Sequence, residues 1–172
     1  AWMPLLRYNV AMSLDGFIAR ADGSYDWLPA DPGVDFEALF AEFDHFVMGR
    51  RTFEVVQAQG EQDPTRGRSI LVASRTLPPS AIPGVEVVGT GLAERLRALK
   101  AGPGKDLWLF GGASLFRDLL DQGLVDRVEV AVIPILLGGG IRLIPEGRSH
   151  SLQLTSQLAL SNGILQLVYK VG

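Results

Sequence analysis

The feature that most constrains the fold is a regular alternation of short apolar segments with helical patterns. The apolar segments are rich in Val, Leu and Ile, as buried strands are. Glycines stand where two of these segments give way to a helical pattern, at Gly49 and at Gly111-Gly112. This order of elements favours a mostly parallel sheet with helices on both faces. The predicted strands cover residues 5–11, 46–48, 69–73, 85–88, 107–110 and 125–137.

Helical patterns lie between most of these strands, and a hairpin closes the chain. The first helical face has the spacing i, i+3, i+4, i+7 and consists of Phe36, Leu39, Phe40 and Phe43. Further helices are predicted over residues 50–57, around Leu92, Leu96 and Leu99, and from Gly111 through Leu120. Two last strands, over residues 153–160 and 165–171, are joined by Ser161-Asn162-Gly163, a strong hairpin signal. We find no internal repeat and no linker, so residues 1–172 are predicted to form one α/β domain.

The composition excludes several classes of function. The chain contains no cysteine and two histidines, which argues against thiolate or histidine-rich metal sites and against a cysteine nucleophile. The net charge of −3 argues against a dedicated nucleic-acid binder. No apolar run reaches the length of a membrane span, and no signal sequence is recognisable. We therefore expect a cytoplasmic protein that uses no metal and contacts neither membrane nor nucleic acid.

A long polar loop over residues 12–30 follows the first strand. Long loops inside a compact domain are usually functional. Residues 15–44 hold eight acidic residues against Arg20 alone, whereas residues 50–105 hold nine basic residues against five acidic ones. This division suits a site with a proton donor on one side and an anion on the other, although two separate solvated faces would give the same pattern.

Four predicted strand ends carry residues suited to ligand binding, at 11–18, 49–52, 74–75 and 111–114. Ligands of open α/β sheets bind beyond the carboxyl ends of the strands. The last three stretches offer glycine, hydroxyl and guanidinium groups, and these suit a phosphate because free helical N–H groups and arginine both bind it. Neither a P-loop nor a G-x-G-x-x-G motif is present. Singly, each stretch is also compatible with a tight turn or a solvated helical turn.

Several short motifs follow one another in order along the chain. They are residues 11–19 (AMSLDGFIA), 26–29 (DWLP), 48–53 (MGRRTF), 74–75 (SR) and 109–113 (LFGGA). Together they resemble the dihydrofolate reductase-like superfamily. The S-L-D-G stretch and residues 123–140 are more similar to the reductase domain of the bifunctional riboflavin-biosynthesis deaminase-reductases. The resemblance extends over nearly the whole chain, and it is more specific for the superfamily than for a substrate.

This resemblance implies an NADPH-dependent reductase on a three-layer α/β/α fold with a mixed sheet of about eight strands. It implies that Gly49, Arg50, Arg51 and Thr52 hold cofactor phosphates and that Gly111, Gly112, Ala113 and Ser114 hold the pyrophosphate. Ser74 and Arg75 match the pair that holds the adenosine 2′-phosphate, and Ala11, Ile18 and Ala19 match positions that line the nicotinamide. A Ser-Arg pair favours NADP over NAD, since an acidic residue there would repel the extra phosphate.

The residues expected to contact the substrate differ from those of both the folate enzymes and the riboflavin-pathway enzymes. By resemblance Asp31 is the candidate acid, assisting protonation in an apolar pocket of Trp27, Phe36 and Phe40. Asp31 is equally compatible with a helix N-cap followed by Pro32 at the first helical position. Asp35 and Glu37, one turn further on, are possible replacements for it.

Two other residues of the long loop are candidates. Asp15 is a possible substrate contact or protonation group, or the start of an Asp-Gly turn. Trp27 would stack on a flat heterocycle or anchor the loop on the core. Residues 21–48 lack the basic cluster with which the riboflavin-pathway enzymes bind a ribose phosphate, which puts a phosphorylated substrate in doubt.

The sequence thus supports the hypothesis of an NADPH-dependent reductase of a pyrimidine- or pteridine-like heterocycle. The resemblance also implies a homodimer, for which residues 128–137 offer an apolar strand. The rival hypothesis is a nucleotide-binding protein on the same fold that lacks catalysis.

Overall fold

A computed structural model describes residues 3–60, 63 and 65–172 of the chain. The strands are β1 (Leu6–Ser13), β2 (Phe17–Ala19), β3 (Phe43–Gly49), β4 (Ser69–Ala73), β5 (Val85–Val88), β6 (Asp106–Gly111), β7 (Arg127–Ile133), β8 (Ile141–Arg142), β9 (Leu152–Ala159) and β10 (Leu165–Val171). The helices are α1 (Phe36–Phe40), α2 (Arg50–Ala58), α3 (Leu92–Ala101) and α4 (Ala113–Asp121).

Eight of the strands form one mixed sheet in the order β5-β4-β3-β6-β1-β7-β10-β9. The first six strands in this order run parallel, and β10 and β9 add an antiparallel pair at one end. The expected mixed sheet with a C-terminal antiparallel hairpin is confirmed. Since β1 lies near the middle of the sheet, the loop that follows it emerges at the centre of the carboxyl edge.

Two apolar clusters cover the two faces of the sheet. On one face, Leu96 of α3 and Phe116 of α4 pack on Leu6 and Tyr8 of β1, and the rings of Tyr8 and Phe116 lie 3.8 Å apart. On the other face, residues of α1 and α2 pack around Trp108. The helices therefore lie in layers on both sides of the sheet, which confirms the expected three-layer α/β/α arrangement.

The first predicted helix is wrong at its C-terminal end. Helix α1 ends at Phe40, and Phe43 begins strand β3, where it pairs with Asp106 and is 1% exposed. A phenylalanine can bury its ring on a helix or on a strand, and here the sheet position decides because it lies in the core. Asp35, whose carboxylate accepts a hydrogen bond from the Ala38 N–H at 3.1 Å, caps this helix.

The strand predicted over residues 125–137 is shorter in the structure, and its interior position conflicts with the expected dimer contact. Strand β7 ends at Ile133, directly before Pro134, which cannot donate a backbone hydrogen bond. β7 pairs with β1 on one side and β10 on the other, and Val128 and Val130 are buried. Because both edges of β7 are paired, β7 offers no free sheet edge to a partner subunit; residues 134–137, which include the 70% exposed Leu136, lie beyond it.

Candidate functional site

The carboxyl edge of the sheet brings three of the four predicted ligand-binding stretches together. Met48 pairs with Gly111 between β3 and β6, and Gly49 pairs with Ala73 between β3 and β4. The stretches 49–52, 74–75 and 111–114 therefore follow three adjacent strands. The stretch 11–18 follows β1, which is the next strand beyond β6.

Two helices begin with glycine at this edge, α2 at Gly49 and α4 at Gly112, and neither has a side-chain cap. Their first N–H groups are therefore available to an external acceptor. Gly111 has a φ of +140°, and a Cβ atom there would lie 3.5 Å from Thr52 Oγ1. Glycine is required at this position by its backbone conformation, and it brings bare backbone next to the Thr52 hydroxyl.

The arginines of this edge are held to different degrees. Arg50 donates hydrogen bonds to Glu54 at 2.9 Å and to Thr76 at 2.9 Å. Arg51 and Arg75 are exposed, and no side-chain hydrogen bond to them is found within the described part of the chain. Two exposed cations near two uncapped helix N-termini form an edge suited to a polyanion.

Hydroxyl and small residues complete this edge. Ser74 Oγ accepts hydrogen bonds from the backbone N–H groups of Thr76 and Leu77, at 3.3 and 3.0 Å. It can still donate its hydroxyl proton to an anion. Ala113 is buried and Ser114 is exposed, as their places at the start of α4 require.

The three residues predicted to line a nicotinamide lie on β1 and on a small separate sheet. Ala11 and Ile18 are partly buried and Ala19 is buried. Strand β2, which carries Ile18 and Ala19, pairs with β8, and Ala19 lies opposite Ile141. A Cβ atom at Gly140 would collide with the carbonyl oxygen of Ala19, so glycine permits this pairing. Periodicity missed this sheet because its strands are only two and three residues long.

Asp15 is tied to a distant segment. Its carboxylate accepts hydrogen bonds from Ser13 Oγ at 2.6 Å and from the backbone N–H groups of Leu137 and Gly138 at 2.9 and 2.8 Å. These hydrogen bonds, with that from Ser13 the strongest, lower the pKa of Asp15 to about 2. A carboxylate held in this way is ionised near neutral pH, which favours a positioning role over proton donation.

The structure does not form the apolar pocket expected around Asp31. The Asp31 side chain is exposed, and its Oδ1 accepts a hydrogen bond from the Gly33 N–H at 3.0 Å. Trp27 belongs to one cluster and Phe40 to another, and Phe36 is 42% exposed. The N-cap interpretation of Asp31 is also wrong, because Asp35 caps α1 and Asp31 closes a turn before it. Glu37 is exposed in the first turn of α1.

Trp27 is 9% exposed and packs against Ile133 and Ile164, with Ala11 beside them. Among the described residues, its Nε1 is the one buried side-chain nitrogen or oxygen without a hydrogen-bond partner. A buried N–H without an acceptor costs free energy, and the packing of the indole ring in this cluster anchors the loop on the core.

Part of β1 lies between two apolar clusters on this face of the sheet. One cluster surrounds Trp108 under α1 and α2, and the other surrounds Trp27. Between them, Asn9 and Ala11 of β1 remain partly exposed. Sequence reasoning missed Asn9 because residues 5–11 were interpreted as uniformly apolar. The alternation of Arg7, Asn9 and Ala11 with apolar neighbours was the available signal.

The arrangement is that of the dihydrofolate reductase-like α/β fold. Dihydrofolate reductase from Enterococcus faecalis, solved as a complex with NADP(H), superposes with a TM-score of 0.68 at 18% identity over 98% of this chain and 96% of that one. The chain belongs to the RibD C-terminal domain family, whose family model matches residues 4–166.

Two relatives resemble the chain over nearly its whole length. The uncharacterised YyaP of Bacillus subtilis is 30% identical over 94% of this chain and 92% of its own length. A structure from Shewanella sp. PV-4, provisionally named a riboflavin biosynthesis protein, is 28% identical, covers 99% of each chain and has a TM-score of 0.83. Within residues 3–60, 63 and 65–172, no helix is long and apolar enough to cross a membrane, and no cluster of metal-binding side chains is found.

Proposed function

We propose that the protein is an NADPH-dependent reductase of a pyrimidine- or pteridine-like heterocycle. The observation that carries this proposal is the pair of glycine-started, uncapped helices at adjacent strand ends, with Arg51 and Arg75 beside them. Membership of a reductase-type family and the dihydrofolate reductase-like fold support the same conclusion.

The residues at the edge fit the parts of this cofactor. The backbone at 49–52 and 111–114 would hold the phosphates, because the first N–H groups of α2 and α4 have no side-chain cap. Ser74 and Arg75 would hold the 2′-phosphate, and Ala11, Ile18 and Ala19 would line the nicotinamide. When bound, NADPH supplies the hydride that reduces a C=N or C=O group of the substrate.

The heterocycle would lie over Asn9 and Ala11, between the Trp108 and Trp27 clusters. A flat ring suits this position because it would lie on the sheet with an apolar cluster on each side. Trp27, which packs in the second of these clusters, would contribute to the apolar surface beside the ring.

Titration of the protein with NADPH, followed by nicotinamide fluorescence, tests the cofactor site. Arg75→Ala should weaken NADPH binding by about tenfold, the effect of losing a charge-assisted hydrogen bond to phosphate, and leave NADH binding unchanged. Arg97→Ala, which removes an exposed arginine from α3, is the matched control and should change neither affinity. No binding of either nucleotide to the unaltered protein would reject the reductase.

A second candidate function is nucleotide binding without catalysis. The observation that favours it is the state of the two candidate acids, since Asp31 is exposed and Asp15 is held by three hydrogen bonds. The two functions separate in one assay. Micromolar NADPH binding without oxidation of the cofactor in the presence of dihydrofolate or aminopyrimidine ribosides would favour nucleotide binding without catalysis.

We also propose that the protein is a homodimer that uses β9 rather than β7. All eight residues of β9 are exposed, including Leu152, Leu154 and Leu158. The strand carries no charged residue and no proline, the usual means of protecting an open sheet edge. Two copies of such a strand meet without repulsion between like charges.

A further inference from the structure

Asn9 lies on β1 between the Trp108 and Trp27 clusters and is hydrogen-bonded to the neighbouring strand. It stands opposite Glu129 in the register of β1 and β7. Its Nδ2 donates a hydrogen bond to Glu129 Oε1 at 3.0 Å. Asn9 shares its face of the sheet with Ala11, one step further toward the carboxyl edge, because alternate residues of a strand point the same way.

Glu129 cannot adjust its position, because Arg7 holds it. Arg7 Nε donates to Glu129 Oε2 at 2.9 Å, and Arg7 Nη2 donates to Oε1 at 3.0 Å. Arg7 also contacts Asp106 at 3.1 Å and Glu42 at 3.0 Å. Arg7 is 5% exposed and Glu129 is 4% exposed. The carboxylate is thus a rigid acceptor under Asn9.

This rigid acceptor determines which way the Asn9 amide points. An ionised carboxylate accepts hydrogen bonds and cannot donate them, so the NH₂ group of Asn9 must face Glu129. The amide oxygen Oδ1 then points away from it. Within the described residues, Oδ1 accepts no hydrogen bond. It is not among the buried unpartnered atoms there either, so solvent reaches it.

We propose that Asn9 is a specificity-determining residue, whose Oδ1 accepts a hydrogen bond from an N–H group of the bound heterocycle. This inference rests on the proposed function and deepens it. A substrate of the site carries a ring lactam N–H or an exocyclic amino group at the edge that faces Asn9. A ring that presents only acceptors or a methyl group there is bound more weakly, because the fixed amide cannot rotate to offer a donor.

Three small probes test the assignment by calorimetric titration in the presence of saturating NADPH. They are 2-aminopyrimidin-4(3H)-one, the same ring without the amino group, and the same ring methylated at N3. The unaltered protein should lose about three- to tenfold in affinity when the N–H group that Asn9 contacts is removed, the effect of one neutral hydrogen bond. In the Asn9→Leu variant the new side chain is nearly isosteric with asparagine. This variant should bind the probe with that N–H group and the probe without it equally.

The comparison between probes separates recognition from a structural effect. A purely structural role of Asn9 would weaken all three probes by the same factor. Gln166→Leu, which alters another partly buried amide on the same face two strands away, should keep the discrimination of the unaltered protein. Each variant is first checked for an unchanged melting temperature.

Two results would overturn the assignment. One is an Asn9→Leu variant that discriminates among the probes as the unaltered protein does. The other is a complex with NADPH that binds none of the probes, or binds all three equally. Either result leaves NADPH binding intact, whereas failure of the proposed function appears as loss of NADPH binding itself.

Discussion

At the scale of single residues, acidic side chains of the long loop serve mainly as hydrogen-bond acceptors for backbone. Asp22 accepts from the Ser24 N–H, Asp31 from that of Gly33, and Asp15 from two residues far along the chain. Short acidic side chains favour such turns because their oxygens reach the N–H group two residues ahead. An acidic cluster in the sequence is therefore weak evidence for an acid catalyst.

The Asp31→Asn variant tests the role of the candidate acid. Asparagine keeps the turn, because its side-chain oxygen accepts from Gly33 as the carboxylate does. We expect an unchanged melting temperature, unchanged NADPH affinity and a kcat within about twofold of the original, since the side chain is exposed and already engaged. A fall in kcat of tenfold or more at unchanged NADPH affinity would instead assign proton transfer to Asp31.

At the scale of elements, the segment after β1 and the segment after β7 are held together by several contacts. Leu14 N–H donates to Ile135 O at 2.9 Å, and Leu143 N–H donates to Gly16 O at 3.0 Å. Strand β2 pairs with β8 between these contacts. The Asp15 carboxylate adds two hydrogen bonds to the same junction. The candidate nicotinamide residues of β2 are thus positioned by a segment more than a hundred residues away in the chain.

Asp15→Asn should loosen this junction. The amide that replaces the carboxylate has one acceptor oxygen for three donors, so at least one backbone N–H loses its partner. We expect faster amide hydrogen exchange over residues 14–19 and 137–143 and weaker NADPH binding. Asp22→Asn is the matched control, because Asp22 bonds only within its own turn and its asparagine variant keeps that bond. Equal exchange in the two variants would contradict the positioning role.

The stability of the same junction should not change with pH in the physiological range. The pKa of Asp15 is lowered to about 2 from an ordinary value near 4. Its contribution is therefore fully present above about pH 4 and is lost as the pH falls toward 2. Exchange rates over residues 14–19, corrected for intrinsic chemistry, should stay constant from about pH 5 to 8.

At the scale of the whole molecule, the two edges of the sheet differ in protection. Edge strand β5 carries Glu86, which pairs with Arg95 of α3 at 2.8 Å. Edge strand β9 carries no charge and exposes leucines on both faces. An open, uncharged edge strand of this length can pair with a strand of another chain. The same strand of a second copy would bind its free backbone groups in a symmetric contact.

The oligomeric state tests this proposal directly. Light scattering after size-exclusion chromatography should give a dimer for the unaltered protein. Leu158→Glu should give a monomer, because a charged residue protects an open sheet edge from pairing with another strand. Ile82→Glu alters an exposed apolar residue elsewhere, 45% exposed against 55% for Leu158, and should remain dimeric. A monomeric unaltered protein at micromolar concentration would contradict the use of β9.

The sequence by itself determined the alternation of strands and helices, the C-terminal hairpin and the glycine-rich carboxyl edge. These features are local, because periodicity, turn residues and the conformational freedom of Gly111 act within a few residues. Family resemblance added the expected cofactor and the residues around it.

Only the tertiary structure decided where Phe43 packs, which aspartate caps α1 and what holds Asp15 and Asn9. The backbone groups that bind Asp15 and the carboxylate that binds Asn9 lie at least 120 positions away in the chain. Local sequence preferences do not decide whether a phenylalanine such as Phe43 belongs to a helix or a strand. They also do not decide which of two aspartates, Asp31 or Asp35, caps the helix that follows. Burial and long-range pairing decide between these alternatives, because they depend on which segments the assembled sheet places side by side.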